Sequence, residues 1–359
     1  MAPRKEKGDS INFMGGPACP IPISDYPQVL LAHGGGGKLS QQIIQKMVVP
    51  QFMNDVLEPL HDGAIFTLDG ARLAFSTDSY VINPIFFPGG DIGELAVNGT
   101  VNDLAMCGAR PMYLSAAFII EEGFPMGDLW RVIVSMQAAA TKAGVKLVTG
   151  DTKVVDRGKG DKIFINTSGV GVVHPGSQIG SRNARVGDPI ILSGPIAVHG
   201  IAIMSVREGL EFETHLQSDT AALNHLVEKM LSASKNIHVL RDPTRGGVAS
   251  SLNEIAESSG VGIEIEEESI PIAEPVRGAC EILGLDPLYV ANEGKLIAFV
   301  SPEDADAVVS AMRKDPLGQD AVVIGSVVED HSGVVVMRTS IGGSRVVDML
   351  SGEQLPRIC

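Results

Sequence analysis

The sequence predicts an α/β protein of two domains, on three observations. Strand-like and helix-like segments alternate through both halves of the chain. Its 359 residues suffice for two domains of ordinary size. Its composition is 44% hydrophobic but only 4% aromatic, so a core of small side chains between sheets and helices is expected.

Residues 1–27 are rich in Pro, Gly and charge and show no period, which reads as a flexible arm. An N-terminal domain is assigned to 28–180. A glycine run, Gly34–Gly37, precedes a helical stretch at 39–49. Strands at 64–68 and 72–76 flank Asp69-Gly70, a strong hairpin signal. A helix at 91–107 and a strand at 112–120 follow. A second helix, at 127–143, ends near Gly144, and strands at 146–149 and 163–173 complete the block. The second domain is assigned to 181–345. It has strands at 190–193, 237–240, 263–266, 296–300, 321–328, 333–337 and 345–348 and helices near 200–208, 219–233, 275–283 and 303–313, with another after Gly247. A mobile tail, 346–359, closes on Pro356-Arg357-Ile358-Cys359.

The formal charge of −15 argues against a nucleic-acid binder, which needs basic patches. No apolar run reaches the roughly 18 residues of a membrane span, and no apolar leader follows the charged start. The four cysteines, Cys19, Cys107, Cys280 and Cys359, are scattered without metal spacing, as in a reducing compartment. A cytoplasmic protein is expected. The surroundings of Cys107 and Cys280 suggest buried structural thiols.

Gly35, Gly36, Gly37 and Lys38 suit contact with an anion through bare backbone amides. They are not a Walker A loop, since Ala32 stands where a glycine is needed and Leu39 follows the lysine. Aspartates recur where strands give way to loops or helices: Asp62, Asp78, Asp151 and Asp242, with Asp103 inside an apolar helix after Asn102. Converging carboxylates would hold Mg²⁺ on a polyphosphate. Each one alone reads first as a helix cap or turn former, and Asp103, poorly placed in a helix, is the hardest to read so. Glu293, in Asn292-Glu293-Gly294-Lys295, is a candidate base or metal ligand. The eight histidines form no metal pattern. The final thiol of Cys359, taken alone, reads as chance.

Together these segments resemble the HypE hydrogenase-maturation proteins of the PurM-like (aminoimidazole ribonucleotide synthetase-like) ATP-binding superfamily. The carriers run in order from residue 28 to Cys359. They are His33–Lys38, Ser76-Thr77-Asp78-Ser79, Phe86–Gly93, Gly99–Ala105, Gly150-Asp151-Thr152-Lys153, Arg241–Gly247, Asn292–Leu296 and the final four residues. The resemblance implies an N-terminal domain whose strands build a dimer-interface β-barrel, a C-terminal α/β domain, and ATP with Mg²⁺ in a cleft. It implies a metal role for Asp62, Asp78, Asp103, Asp151 and Asp242. It implies ATP contacts from the glycine loop, Lys38, Asp78, Asn102, Asp103, Asp151, Thr152, Asp242 and Arg245. One departure is that superfamily members commonly carry paired aspartates where this chain has His61-Asp62.

The implied reaction is dehydration of an S-carboxamide on Cys359 to a thiocyanate, with HypF as carbamoyl donor and a HypC–HypD complex as cyanide acceptor. The product becomes a cyanide ligand of the nickel–iron hydrogenase centre. Glu293 is the expected base, and Lys153 the group that polarises the amide oxygen or relays protons. The competing readings are another PurM-like enzyme, such as a selenophosphate synthetase or a small-molecule kinase, and a nonenzymatic thiol carrier. Gly34–Gly37 lacks the reactive Cys of selenophosphate synthetases.

Overall fold

The computed structural model describes residues 26–209 and 216–351. The arm at 1–25 and the last eight residues, Cys359 included, lie outside them. Short helices α1 (Lys38–Ile43) and α2 (Val49–Phe52) flank a π-helical stretch, Ile44–Val48, where one helix was expected. The hairpin β1 (Ala64–Leu68) and β2 (Ala71–Tyr80) turns at Asp69 and Gly70, whose φ values of +49° and +83° fit the tight turn that an Asp-Gly pair favours. A two-residue ladder, β3 (Phe86–Phe87) with β4 (Gly90–Asp91), leads into α3 (Ile92–Met106). Next come β5 (Ala109–Glu121), α4 (Met126–Ala143), β6 (Lys146–Val155) and β7 (Ile163–Val173).

The N-terminal sheet runs β1-β2-β7-β5-β6. Only β5 and β6 are parallel, joined by the α4 crossover. Among the described residues this sheet is open, with β1 and β6 at its edges, so no barrel closes within one chain. Its inner face packs on α3 and α4. Leu95, Val101 and Leu104 meet Leu114, Ile163 and Ile165 there, each contributing about 1.5–3 kcal/mol on burial. Asp91 caps α3, its Oδ1 accepting from the amides of Gly93 (2.7 Å) and Glu94 (3.2 Å). Thirteen of the fifteen residues of α3 are buried, so this helix has no solvent side on which Asp103 could rest.

The second domain holds β8 (Pro189–Leu192), α5 (Val198–Glu208), α6 (Asn224–Ala233), β9 (Ile237–Arg241), α7 (Gly247–Ser259) and β10 (Gly262–Glu266). It continues through α8 (Glu274–Leu283), β11 (Ile297–Val300), α9 (Ala305–Met312), β12 (Val322–Val328), β13 (Val335–Arg338) and β14 (Ser344–Val346). Its sheet runs β14-β13-β10-β12-β8-β11-β9, antiparallel except between β10 and β13. The expected two-domain α/β organisation is therefore present, with more antiparallel pairing than simple alternation suggests.

Two expectations need correction. The helix foreseen at 219–233 starts only at Asn224, because residues 216–223 are irregular chain tied to α3 by Asn102, described below. The mobile tail does not begin at residue 346. Val346 pairs in β14, and Val347, Met349 and Leu350 are buried. Cys107 and Cys280 are buried free thiols, as expected.

Candidate active site

A cleft between the two domains is lined by Asp78, Tyr80, Gly99, Asp103, Asp242, Thr244, Arg245 and Glu293. The inward face of β2 supplies Asp78 and Tyr80, α3 supplies Asp103, and the turn after β9 supplies Asp242, Thr244 and Arg245. Asp78 lies within β2 rather than beyond its end. Gly99 is required because the Tyr80 hydroxyl would lie 2.1 Å from a Cβ there.

Carboxylate oxygens of Asp62, Asp103 and Asp242 all lie within 4.8 Å of one another. Their titration follows from burial first and from this crowding second. Burial, then Asp242, Asp62 and Asp78, push Asp103 well above the ordinary carboxylate range, against the Ser76 hydroxyl 2.6 Å from its Oδ2. Burial and Asp62 raise Asp242 to about 7. Asp62 goes the other way. Burial opposes its charge, but the ion pair with Arg241 and the adjacent His61 hold it below the usual value. Arg241 also grips Glu254 at 2.7 Å. Glu293 is raised well above the usual value, by burial first and then by Asp242, Asp219 and Asp78.

A divalent cation fits this donor set. Three hard oxygen donors converge, two of them are destabilised as anions, and Asp62 Oδ2 has no hydrogen-bond partner among the described residues. A cation there would relieve the repulsion that now lifts Asp103 and Asp242.

The glycine loop forms one rim. Gly36 (φ +73°) lies so close to Arg245 that a Cβ would meet Arg245 Cβ at 2.6 Å, and the Arg245 guanidinium lies 3.3 Å from Gly34 O. A Cβ on Gly37 would lie 2.3 Å from the Leu350 carbonyl oxygen, and the Lys38 amide donates to that same oxygen at 2.9 Å. The segment leading to the C-terminal tail is therefore seated on the glycine loop. Tyr289 Oη donates to Asp348 O and Asn253 Nδ2 to Val347 O, which fix the segment from the other side.

Three expected site residues stand elsewhere. Asp151, Thr152 and Lys153 lie on the exposed edge strand β6. Registers Asp78↔Thr167, Ala116↔Thr167 and Ala116↔Gly150 separate β2 from β6 by three strand spacings, about 14 Å. Asp151 and Lys153 also point to the opposite face of the sheet, where they pair with each other at 2.7 Å. One chain does not bring them to the aspartate cluster. Asn102, expected on the nucleotide, is a strut instead. Its amide nitrogen donates to Ala221 O (3.0 Å) and Glu293 O (3.3 Å), and its oxygen accepts from Leu223 N (2.8 Å). Lys38 is exposed at the start of α1 and does not line the cleft.

Sequence reasoning did not single out Ser76, Tyr80, Arg241, Thr244 or Asp219. Asp219 accepts from the Glu293 amide at 3.3 Å and faces Lys295 at 3.4 Å, which fixes the loop carrying Glu293. Arg241 and Thr244 flank Asp242 in sequence, a signal that was available.

Residues 60–173 match the model for the AIR synthase related protein N-terminal domain, and residues 185–338 that for its C-terminal domain. The carbamoyl dehydratase HypE of Cupriavidus necator is 56% identical over 330 residues, which cover 92% of this chain and 94% of that one. A crystal structure of hydrogenase maturation protein HypE in complex with ATP superimposes with a TM-score of 0.79 at 50% identity, covering 92% of this chain and 100% of the other. HypE in a HypE–HypF complex gives 0.82 at 49% identity, covering 86% and 99%.

Proposed function

Since the chain belongs to the HypE family of AIR synthase related carbamoyl dehydratases, we propose that it dehydrates an S-carboxamide on its own Cys359, at the expense of ATP, to a thiocyanate. The observation that carries this reading is the seating of Leu350 on the glycine loop of the acidic cleft. Cys359 lies nine positions beyond Leu350, a reach of at most about 32 Å at ~3.5 Å per residue, so the thiol has ample chain to enter the cleft.

The chemistry balances as follows. The carboxamide oxygen attacks the γ-phosphorus of ATP, and ADP leaves. This turns a poor leaving group into a phosphate ester of an imidic acid. One N–H proton is lost to a base as the imidate forms; a base then removes the second, the C–O bond breaks, and phosphate departs with the oxygen as C≡N forms. The protein retains the sulfur–carbon bond throughout.

Asp62, Asp103 and Asp242 would hold Mg²⁺, which supplies charge neutralisation for phosphoryl transfer. The glycine loop offers backbone amides at the cleft rim, and Arg245 adds positive charge. Glu293 is the proton acceptor. Its buried acidic setting raises its basicity, and Asp219 and Asn102 fix its backbone.

Asp151, Thr152 and Lys153 serve the site of a second copy in this reading. The outer sheet face exposes Phe75, Tyr113, Ile119 and Val172, and nine of the ten residues of β6 are exposed on an unpaired edge. Two copies meeting face to face would cover these residues, and the paired sheets would make the barrel. HypF, named in the complex with a relative, is proposed as carbamoyl donor and a HypC–HypD complex as acceptor, in the cytoplasm.

Incubating the protein with HypF, carbamoyl phosphate and ATP tests the assignment. Glu293→Gln is expected to accumulate the carboxamide on Cys359 without forming thiocyanate. Normal conversion by that variant rules out Glu293 as the base.

A further inference from the structure

A second cavity, of about 360 Å³, lies away from the acidic cleft. Its walls come from both domains. Arg110 and Tyr113 on β5, Lys146 at the start of β6, His174 after β7 and Gly144 at the end of α4 form one side. The first turns of α6, with Asn224, His225 and Glu228, form the other.

The charge of this cavity runs against that of the molecule. The chain carries −15, yet two cations, Arg110 and Lys146, face a single carboxylate here, Glu228, with His174 and His225 beside them. Among the described residues, the side chains of Arg110 and Lys146 make no ion pair or hydrogen bond. Lys235 stands near enough to act on His174. Burial, with Lys235 and Arg110, holds that imidazole below its ordinary value against the pull of Glu228. The two cations outnumber the one carboxylate, and a bound anion balances the excess.

The floor adds to this. No side chain caps α6, and residues of its first turns line the cavity, where the positive end of the helix dipole favours an anion. Asn224 is 91% buried and donates to Ala143 O at 3.0 Å, plugging the end of α4. Pro111, Met112 and Tyr113 supply an apolar wall. Basic groups gathered at one end of a pocket with an apolar side suit a phosphate carried on a small organic body.

We propose that this cavity binds a small phosphorylated molecule, with Arg110, Lys146 and His174 on its phosphate. Neither the phosphoryl-transfer site nor its carboxylates take part. Because the walls belong to both domains, occupancy ties α6 to the N-terminal sheet and stiffens the junction across which the acidic cleft is built.

The test is calorimetric titration of the full chain with ribose 5-phosphate, after the acidic cleft has been filled with Mg²⁺ and a non-hydrolysable ATP analogue. Saturable binding at one site per chain is expected. Arg110→Gln and Lys146→Gln should each weaken it about tenfold or more, about 1.4 kcal/mol. Both side chains are exposed, so these variants keep the fold, and a circular dichroism melt checks this. Inorganic phosphate should compete, and ribose should not. Absence of binding up to about 10 mM, equal binding by both variants, or competition by ribose overturns the proposal.

Discussion

The amide of Lys38 donates to the carbonyl of Leu350 at 2.9 Å, which joins the glycine loop to the root of the C-terminal tail. Two parts of the chain more than 300 residues apart thus meet at the rim of the acidic cleft. The anchoring is tight because Gly37 leaves no space between them.

Gly37→Ala should therefore disturb this joint. A Cβ 2.3 Å from Leu350 O must push the tail root outward, at a cost of about 1–3 kcal/mol. A lower melting temperature and slower thiocyanate formation are expected, with the carbamoylation step by HypF unchanged. Equal loss of both steps would mean that Gly37 matters only for folding.

The acidic cluster predicts a pH dependence with a definite sign. Asp242 rises from 3.8 to about 7 and Asp103 is also raised, so the folded protein binds more protons than the unfolded chain in that window. Stability from these groups is present below 3.8 and is lost as pH rises towards about 7. Without divalent cations, denaturant unfolding should show this loss, and Mg²⁺ should reverse much of it. Asp103→Asn should flatten the pH slope and abolish the Mg²⁺ effect. An unchanged slope would contradict the crowding argument.

Lys153 and Glu293 do not meet within one chain, so subunit mixing can test their partnership. Lys153→Ala and Glu293→Gln should each be inactive alone. Mixed dimers carry one intact site, made from the wild-type Glu293 of one copy and the wild-type Lys153 of the other. Recovered thiocyanate formation on mixing is expected, and its absence would remove Lys153 from the site.

The outer sheet face offers a further check. Tyr113→Asp combined with Ile119→Asp places charge on a surface that two copies are proposed to bury. Sedimentation should show a monomer with intact circular dichroism and little activity. A persistent dimer would move the interface elsewhere.

Much of this was legible locally. Asp69-Gly70 announced its hairpin, and the apolar run around Asp103 announced a buried helix carrying a charge. Motif order led to Asp62, Asp103, Asp242 and Glu293, which converge, although Asp62 is balanced by Arg241. That Asp151 and Lys153 stand apart from the cluster within one chain was not legible, because the sequence does not show which face of a sheet a residue occupies. Asn102 misled for a related reason, since an amide beside a catalytic-looking aspartate looks the same whether it holds a ligand or a loop. The π-helical stretch at Ile44–Val48 left no signal in the apolar pattern.

The central claim is that Cys359 is the substrate, and mass spectrometry of the C-terminal peptide tests it most directly. With HypF and carbamoyl phosphate the peptide should gain one carbamoyl group, and with Mg²⁺ and ATP present it should then lose one water. An adduct that persists unchanged through ATP turnover, or one that forms on a cysteine other than Cys359, would contradict the account.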